Sequence, residues 1–241
     1  MTNKIKKLEH QIKKLEAKIK QMEEITVFNS ITKNWLSWAF IFISIYCITP
    51  NQYGFGILSF FVMFFISYYL HVETHKKNTV FTLLHRYHHS NNNYFSHVTQ
   101  CVLELCFPFF FLVIYSIFGT ILLDKWIILF SVVFYSSIHN INYSYFHVNK
   151  IHSLHHTHPF TNYGPDVCDI LFGTKHEGDP IENTNHYIPN IIVITLCILG
   201  LKQLCNHETF NTVCFKSISY FLISCVLIYL GASATIFYGF V

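Results

Sequence analysis

Apolar residues run along most of this chain in long blocks separated by short polar breaks. Trp35–Thr49 and Tyr53–Leu70 are the first two blocks, divided only by Pro50-Asn51-Gln52. Each comes close to the roughly 20 residues that a membrane-crossing helix needs, and the tight break predicts a helical hairpin. Cys101–Leu123 and Trp126–Ile138, separated by Asp124-Lys125, predict a second hairpin. Two further apolar segments follow, Ile191–Leu201 and Ser217–Val241. The first is short for a span and reads equally as a short transmembrane, re-entrant or interfacial helix. The second is long enough to cross. Polar blocks at 71–97 and 139–188 lie between these segments. The pattern predicts an all-α, polytopic membrane bundle of two N-terminal hairpins and C-terminal hydrophobic segments, with a polar helical cap on one side.

The N-terminal segment has a different period. Ile5, Leu8, Ile12, Leu15, Ile19 and Met22 alternate in steps of three and four. Ile at a and mostly Leu at d favour a parallel two-stranded coiled coil, and hence a homodimer through residues 4–24. The competing reading is a basic amphipathic helix lying on an anionic membrane face. Domain boundaries follow: 1–24 for this helix, 25–188 for the membrane domain with its polar blocks, and 189–241 for the C-terminal hydrophobic segments.

Composition supports the membrane assignment. The chain is 52% hydrophobic and only 12% charged, against about 25% charged residues in soluble domains. The net charge of +3 comes from lysines concentrated in residues 1–24, and the remainder is near neutral, so no nucleic acid partner is expected. The first residues lack the pattern of a cleavable signal peptide. Eight scattered cysteines without a CxxC pair read as reduced thiols rather than a disulfide frame. Lysines ahead of the first span place the N-terminus in the cytosol, and Lys76, Lys77 and Arg86 put His71 back on that side after two crossings. Two more crossings return His139 to it, so both polar blocks can share one site.

Those polar blocks are rich in histidine. His71-Val-Glu-Thr-His75 is an i, i+4 pair. His85-Arg-Tyr-His88-His89 and His152-Ser-Leu-His155-His156 share the spacing HxxHH. Residues at i, i+3 and i+4 lie on one helix face, so each box aims three rings at one point. A lone histidine is usually a surface or hydrogen-bonded residue, but a repeated box on one membrane side asks for a metal, because neutral imidazole is the commonest metal ligand. The boxes offer eight rings before His139 is counted. That exceeds what one tetrahedral zinc holds and suits two metals. Imidazole serves iron, zinc, copper and nickel alike, so the ligands alone do not name the metal.

These boxes resemble those of the fatty acid hydroxylase/sterol desaturase superfamily of integral-membrane di-iron enzymes. HVETH is similar to the first box, HRYHHSNNNYFSH to the second and HSLHHTHPFTNYG to the third. The trailing CDILFGT is similar to a Trp-Asp-x-Leu-Phe-Gly-Thr signature, with Cys168 in the place of Trp. The second and third boxes are most similar to those of sterol 25-hydroxylase-type members. The resemblance covers roughly residues 35–176. It implies two iron ions (zinc when isolated) with O2 as co-substrate, held by His71, His75, His85, His88, His89, His139, His152, His155 and His156. It also implies an endoplasmic-reticulum location with a cytosolic site. One departure stands out. The family often has a further histidine four residues along the helix from the residue matching His139, and here both 135 and 143 are tyrosine. His147 is the candidate replacement, the alternative being an open position or water. Asn162, Asp169 and His158 are candidates for orienting the ligating rings, with His97 and His176 in similar supporting or structural roles.

The activity this implies is hydroxylation of a lipid C–H bond, sterol or fatty acyl, with the substrate drawn from the bilayer. Phe95, Tyr145, Phe146 and Phe160 are candidates for lining the entry or for packing at the membrane interface. No haem-binding or flavin-binding segment is recognisable, so a cytochrome b5-type protein or a reductase is expected to deliver electrons. A desaturase with the same site is the alternative within enzymes. A metal-binding or transport protein is the alternative of another class, but a transporter places polar residues within its spans, and here Glu104 is the one acid inside an apolar run. An inactive paralogue is the third reading. Deleting residues 1–24 is expected to leave the chemistry intact and lower the oligomer size measured by light scattering; an unchanged size would favour the membrane-surface helix.

Overall fold

A computed structural model describes residues 25–76, 80–91, 93–106 and 122–204, with five isolated positions in the N-terminal segment. The coiled-coil segment as a unit, the first arm of the second hairpin from 107 to 121, and Ser217–Val241 lie outside the described residues. Every described element is helical. In chain order these are α1 (Val27–Lys33), α2 (Trp35–Ile48), α3 (Tyr53–Lys76), α4 (Val80–Ser90), α5 (Tyr94–Leu105), α6 (Lys125–Ser137), α7 (Ile151–Thr157), α8 (Asp166–Phe172) and α9 (Ile188–Leu204). Short 3-10 turns precede α3 and α9, and a π-helical segment, Ile138–Tyr145, continues α6.

Four of these helices form the apolar body. α9 packs on α2 and α6, and α3 packs on α6 and α2. Ile45, Ile48, Phe60, Ile127, Phe130 and Ile191 are fully or almost fully buried between them. Ile43, Leu58, Val193 and Leu196 point outward. A helix apolar on all sides belongs in a membrane or a large core. Pro50–Lys76 and Thr184–Leu204 are each long and apolar enough to cross a bilayer, and α1 with α2 forms a third such unit bent by 76°. Two helices, or three units with the bent pair, thus have the length and composition of an integral membrane protein's spans.

Two boundaries differ from the expectation. α3 does not end at Leu70 but runs to Lys76, carrying His71 and His75 beyond the apolar run on the same helix. The short segment Ile191–Leu201 lies within a 21-residue helical stretch from Thr184 to Leu204. Pro189 is tolerated there because a proline in the first turn lacks only an N–H that would be unsatisfied anyway.

Several polar groups inside the body pair across its helices. Thr195 Oγ1 donates to Ser44 Oγ (2.8 Å), joining α9 to α2. Lys202 Nζ bonds the Ile48 carbonyl at the end of α2. Asp124 caps α6 by accepting from Trp126 N and Ile127 N, and its own N–H donates to Ser59 Oγ on α3 (2.8 Å).

The turn between α2 and α3 depends on Gly56, where a Cβ would collide with the Thr49 side chain and touch Ile45. Gly56→Val is expected to destabilise the protein by about 1–3 kcal/mol, the usual cost of overpacking, seen as a lower melting temperature in detergent. Gly54→Ala, with nothing within 4 Å of the added carbon, is the control that leaves it unchanged.

Candidate metal centre

The two polar blocks meet at the ends of α3 and α6. α3 contributes His71 and His75, α4 contributes His85, His88 and His89, the π-helical segment contributes His139, and α7 contributes His152, His155 and His156. π-helical insertions often occur at functional sites. The rings sort into two adjoining groups. His71, His75, His85, His89 and His155 form one, and His88, His139, His152 and His156 the other, with the candidate ligand atoms of each within 4.8 Å of one another. The groups touch where His89 stacks on His156, centroids 4.2 Å apart.

Hydrogen bonding fixes which nitrogens face inward. His71 Nδ1 donates to the Tyr163 carbonyl (2.6 Å), and His155 Nδ1 to the Thr161 carbonyl (2.6 Å). A carbonyl only accepts, so both Nε2 atoms carry lone pairs, and they lie 3.1 Å apart. His85 Nδ1 lies 3.1 Å from Gln100 Oε1. Gln100 is oriented by its own amide donating to Glu104 (2.8 Å), so His85 also donates outward. Its Nε2 then sits 2.9 Å from His75 Nε2 and 3.1 Å from His89 Nε2. In the second group His139 Nδ1 bonds Glu104 Oε1. His139 Nε2 is 3.1 Å from His152 Nε2, which is 3.0 Å from His156 Nε2. Both nitrogens of His88 are buried without a hydrogen-bond partner among the described residues.

This arrangement fits metal ions. A metal–nitrogen bond of about 2.1 Å with neighbouring ligands near right angles puts their nitrogens about 3.0 Å apart, the spacing observed. The rings are also held in the ligating, neutral form. Burial first, then the crowding of other imidazoles, holds His155 down to about 3, His156 to about 4 and His88 to about 2. The same causes keep His85, His89 and His152 well below the ordinary range.

The other candidates lie elsewhere. His147 is exposed, with a φ of 49°, and belongs to neither group. Tyr143 occupies the position four residues after His139 and stacks on His152 (5.0 Å, 13°). The second group therefore has four rings against five in the first. Asn162 and Asp169 bond no ring of either group. Asn162 donates to Asp179 (2.7 Å). Asp169 accepts from Tyr163 N, Gly164 N and Thr174 Oγ1, which holds the loop whose Tyr163 carbonyl meets His71. Burial pushes the Asp169 carboxyl up to about 6 despite those donors. His158 bonds Thr157 Oγ1 (3.0 Å) and packs on His176 (4.8 Å), while His97 lies 5.4 Å from His88.

Sequence reasoning missed the true ring partners, Thr161, Tyr163, Gln100 and Glu104. Two are backbone carbonyls and leave no sequence signal. Gln100 and Glu104 did leave one: an amide and an acid four residues apart on one helix face, inside an apolar run.

Below the rings lies a cavity of about 530 Å³, within the usual range for small-molecule sites. His71, His85, His139 and His152 form part of its wall, and Ile41, Phe60, Met63 and Val132 from the membrane helices form much of the rest. An apolar slot thus opens from the bundle interior directly onto both imidazole groups.

Residues 56–174 match the family model for fatty acid hydroxylase, a stretch that contains every ring of both groups. No curated protein and no solved structure matches the chain.

The depressed histidines set a pH dependence. An unfolded histidine titrates near 6.5, whereas these folded rings refuse protons until about pH 4 or below. Between those values the unfolded state binds more protons, so stability falls as pH falls. Metal-free protein is expected to keep its full stability above about pH 6.5 and to lose it progressively toward pH 4. Denaturation midpoints at pH 7.5, 6 and 5 measure this, and a flat profile would contradict the assigned burial.

Proposed function

Because residues 56–174 belong to the fatty acid hydroxylase family, we propose that this integral membrane protein is a di-iron oxygenase that hydroxylates a lipid C–H bond, sterol or fatty acyl. The carrying observation is the convergence of nine imidazoles, in groups of five and four, on one apolar cavity between membrane helices. Two redox metals, when bound there, would supply the activation of O2 and the breaking of an unactivated C–H bond, chemistry that side chains alone do not perform.

The chain itself binds, orients and excludes. Phe60, Met63 and Val132 present an apolar wall to a lipid chain entering from the bundle, and the same wall keeps bulk water from the imidazoles. The His71, His155 and His85 rings are held by outward Nδ1 bonds, so their Nε2 atoms stay aimed inward without a metal to organise them. Tyr143 stacks against His152 and donates to Glu182 (2.5 Å), which fixes that ring from its outer face. The four-ring group is the one suited to a metal with an open position, the arrangement that the tyrosine at 143 leaves. Electrons would come from a separate cytochrome b5-type protein or reductase, and the site would face the cytosol from the endoplasmic reticulum.

The test compares lipids extracted from cells expressing the protein with those from cells expressing His155→Ala or His88→Ala. An oxygenated lipid is expected only with the unaltered protein, and purified protein is expected to hold about two metal ions per chain. Undiminished product in both variants would sink the assignment, as would a metal content of one or none. Appearance of an alkene in place of an alcohol would make the reaction a desaturation.

A further inference from the structure

The two imidazole groups are not oriented independently. Glu104 is the sole acidic side chain on α5, and that helix presents Gln100 and Glu104 on one face toward the rings. Glu104 is almost fully buried, its side chain 7% exposed, as is that of His139 at 5%. Its carboxylate has three partners among the described residues. Oε1 accepts from His139 Nδ1 and from Gln100 Nε2, and Oε2 accepts from Asn140 Nδ2 (2.6 Å). Gln100 in turn turns its carbonyl oxygen to His85 Nδ1. One oxygen atom therefore stands behind a ring of each group, directly behind His139 and through one amide behind His85.

The chemistry of the partners makes the acid specific. A carboxylate accepts and does not donate, so every group facing it must be a donor. This fixes His139 as the Nδ1–H tautomer with Nε2 free to ligate. It also fixes the amide of Gln100, which otherwise has two nearly equivalent orientations. Were Gln100 flipped, its NH2 would face His85 Nδ1 and that ring would have to turn its lone pair outward and its N–H into the metal group. A buried carboxylate on an apolar helix is costly unless it is well hydrogen-bonded, and here both oxygens of Glu104 face donors.

We propose that Glu104 is a positioning residue shared by both metal sites, setting the ligating tautomer of His139 directly and that of His85 through Gln100. This rests on the two-metal reading above. It adds that the two sites are coupled through one side chain, so a single change on α5, which holds no ring of either group, weakens both.

The experiment measures metal retention by the purified full-length protein against a competing chelator, with thermal melting of the same samples as the folding control. The unaltered protein should release two metals. Loss of a hydrogen-bond partner behind a ligand commonly costs about 10- to 100-fold in metal affinity. Glu104→Leu is expected to weaken both metals by about that factor, and Gln100→Leu to weaken one and leave the other unchanged. Glu104→Gln keeps an acceptor oxygen for His139 and is expected to restore most of the affinity. Should the leucine variant fail to fold, Glu104→Ala, which also removes the acceptor behind His139, serves as the folded probe: cobalt substituted at the sites should then show an absorption spectrum altered from that of the unaltered protein. Wild-type retention of both metals in Glu104→Leu, weakening of only one, or in the folded probe an unaltered cobalt spectrum, would overturn the proposal. Failure of the unaltered protein to hold two metals would instead remove the reading on which it rests.

Discussion

Two lone pairs facing each other at 3.1 Å repel, and the centre of this protein is built from such contacts. His71 and His155 each spend their only ring N–H on a backbone carbonyl, so neither has a proton to share across the gap between their Nε2 atoms. Protonation would relieve the repulsion, yet burial drives the His155 titration down to about 3. A metal cation held between the two nitrogens would satisfy both lone pairs. The outward hydrogen bonds, the low dielectric around the rings and the crowding of imidazoles all suit such an occupant.

The membrane fold makes that convergence attainable. A bilayer requires backbone polar groups to be satisfied within each helix, and α2, α3, α6 and α9 are apolar helices packed on one another. Rigid helices deliver side chains to fixed places at their ends. α3 needs only to continue six residues past Leu70 to carry His71 and His75 out of the apolar zone. The π-helical continuation of α6 does the same for His139. The short helices α4 and α7 lie outside the body and close over these three. Their HxxHH boxes are the economical way for one helical turn to supply three nitrogens to one region.

Much of this was legible in the residues because it rests on period and spacing. Apolar block lengths located the helices of the body, and the expected crossing parity allowed the two polar blocks to meet. The repeated box singled out the rings that now lie in the two groups. What escaped depends on the third dimension. His147 follows His139 by eight residues, but a positive φ and an exposed position carry it away from both groups. Asn162 and Asp169 were sensible acceptors on composition alone, yet they fold the loop and leave its carbonyls to meet the rings. α9 was read as short because its polar entry residues, Asn185 to Asn190, broke the apolar run without breaking the helix.

The cavity and the imidazole groups share a wall, and this sharing has a physical consequence. The apolar side chains that would hold a lipid chain also lower the dielectric around the rings, which is what keeps them neutral and able to ligate. A polar substitution lining the cavity would admit water and, with it, easier protonation of the adjacent rings. The cavity and the imidazole groups are therefore parts of one electrostatic arrangement. The buried acid beside it, Glu104, is compatible with that arrangement because each of its oxygens faces a donor. Its hydrogen bonds go to His139, Gln100 and Asn140, which leaves the cavity wall beneath the rings largely apolar.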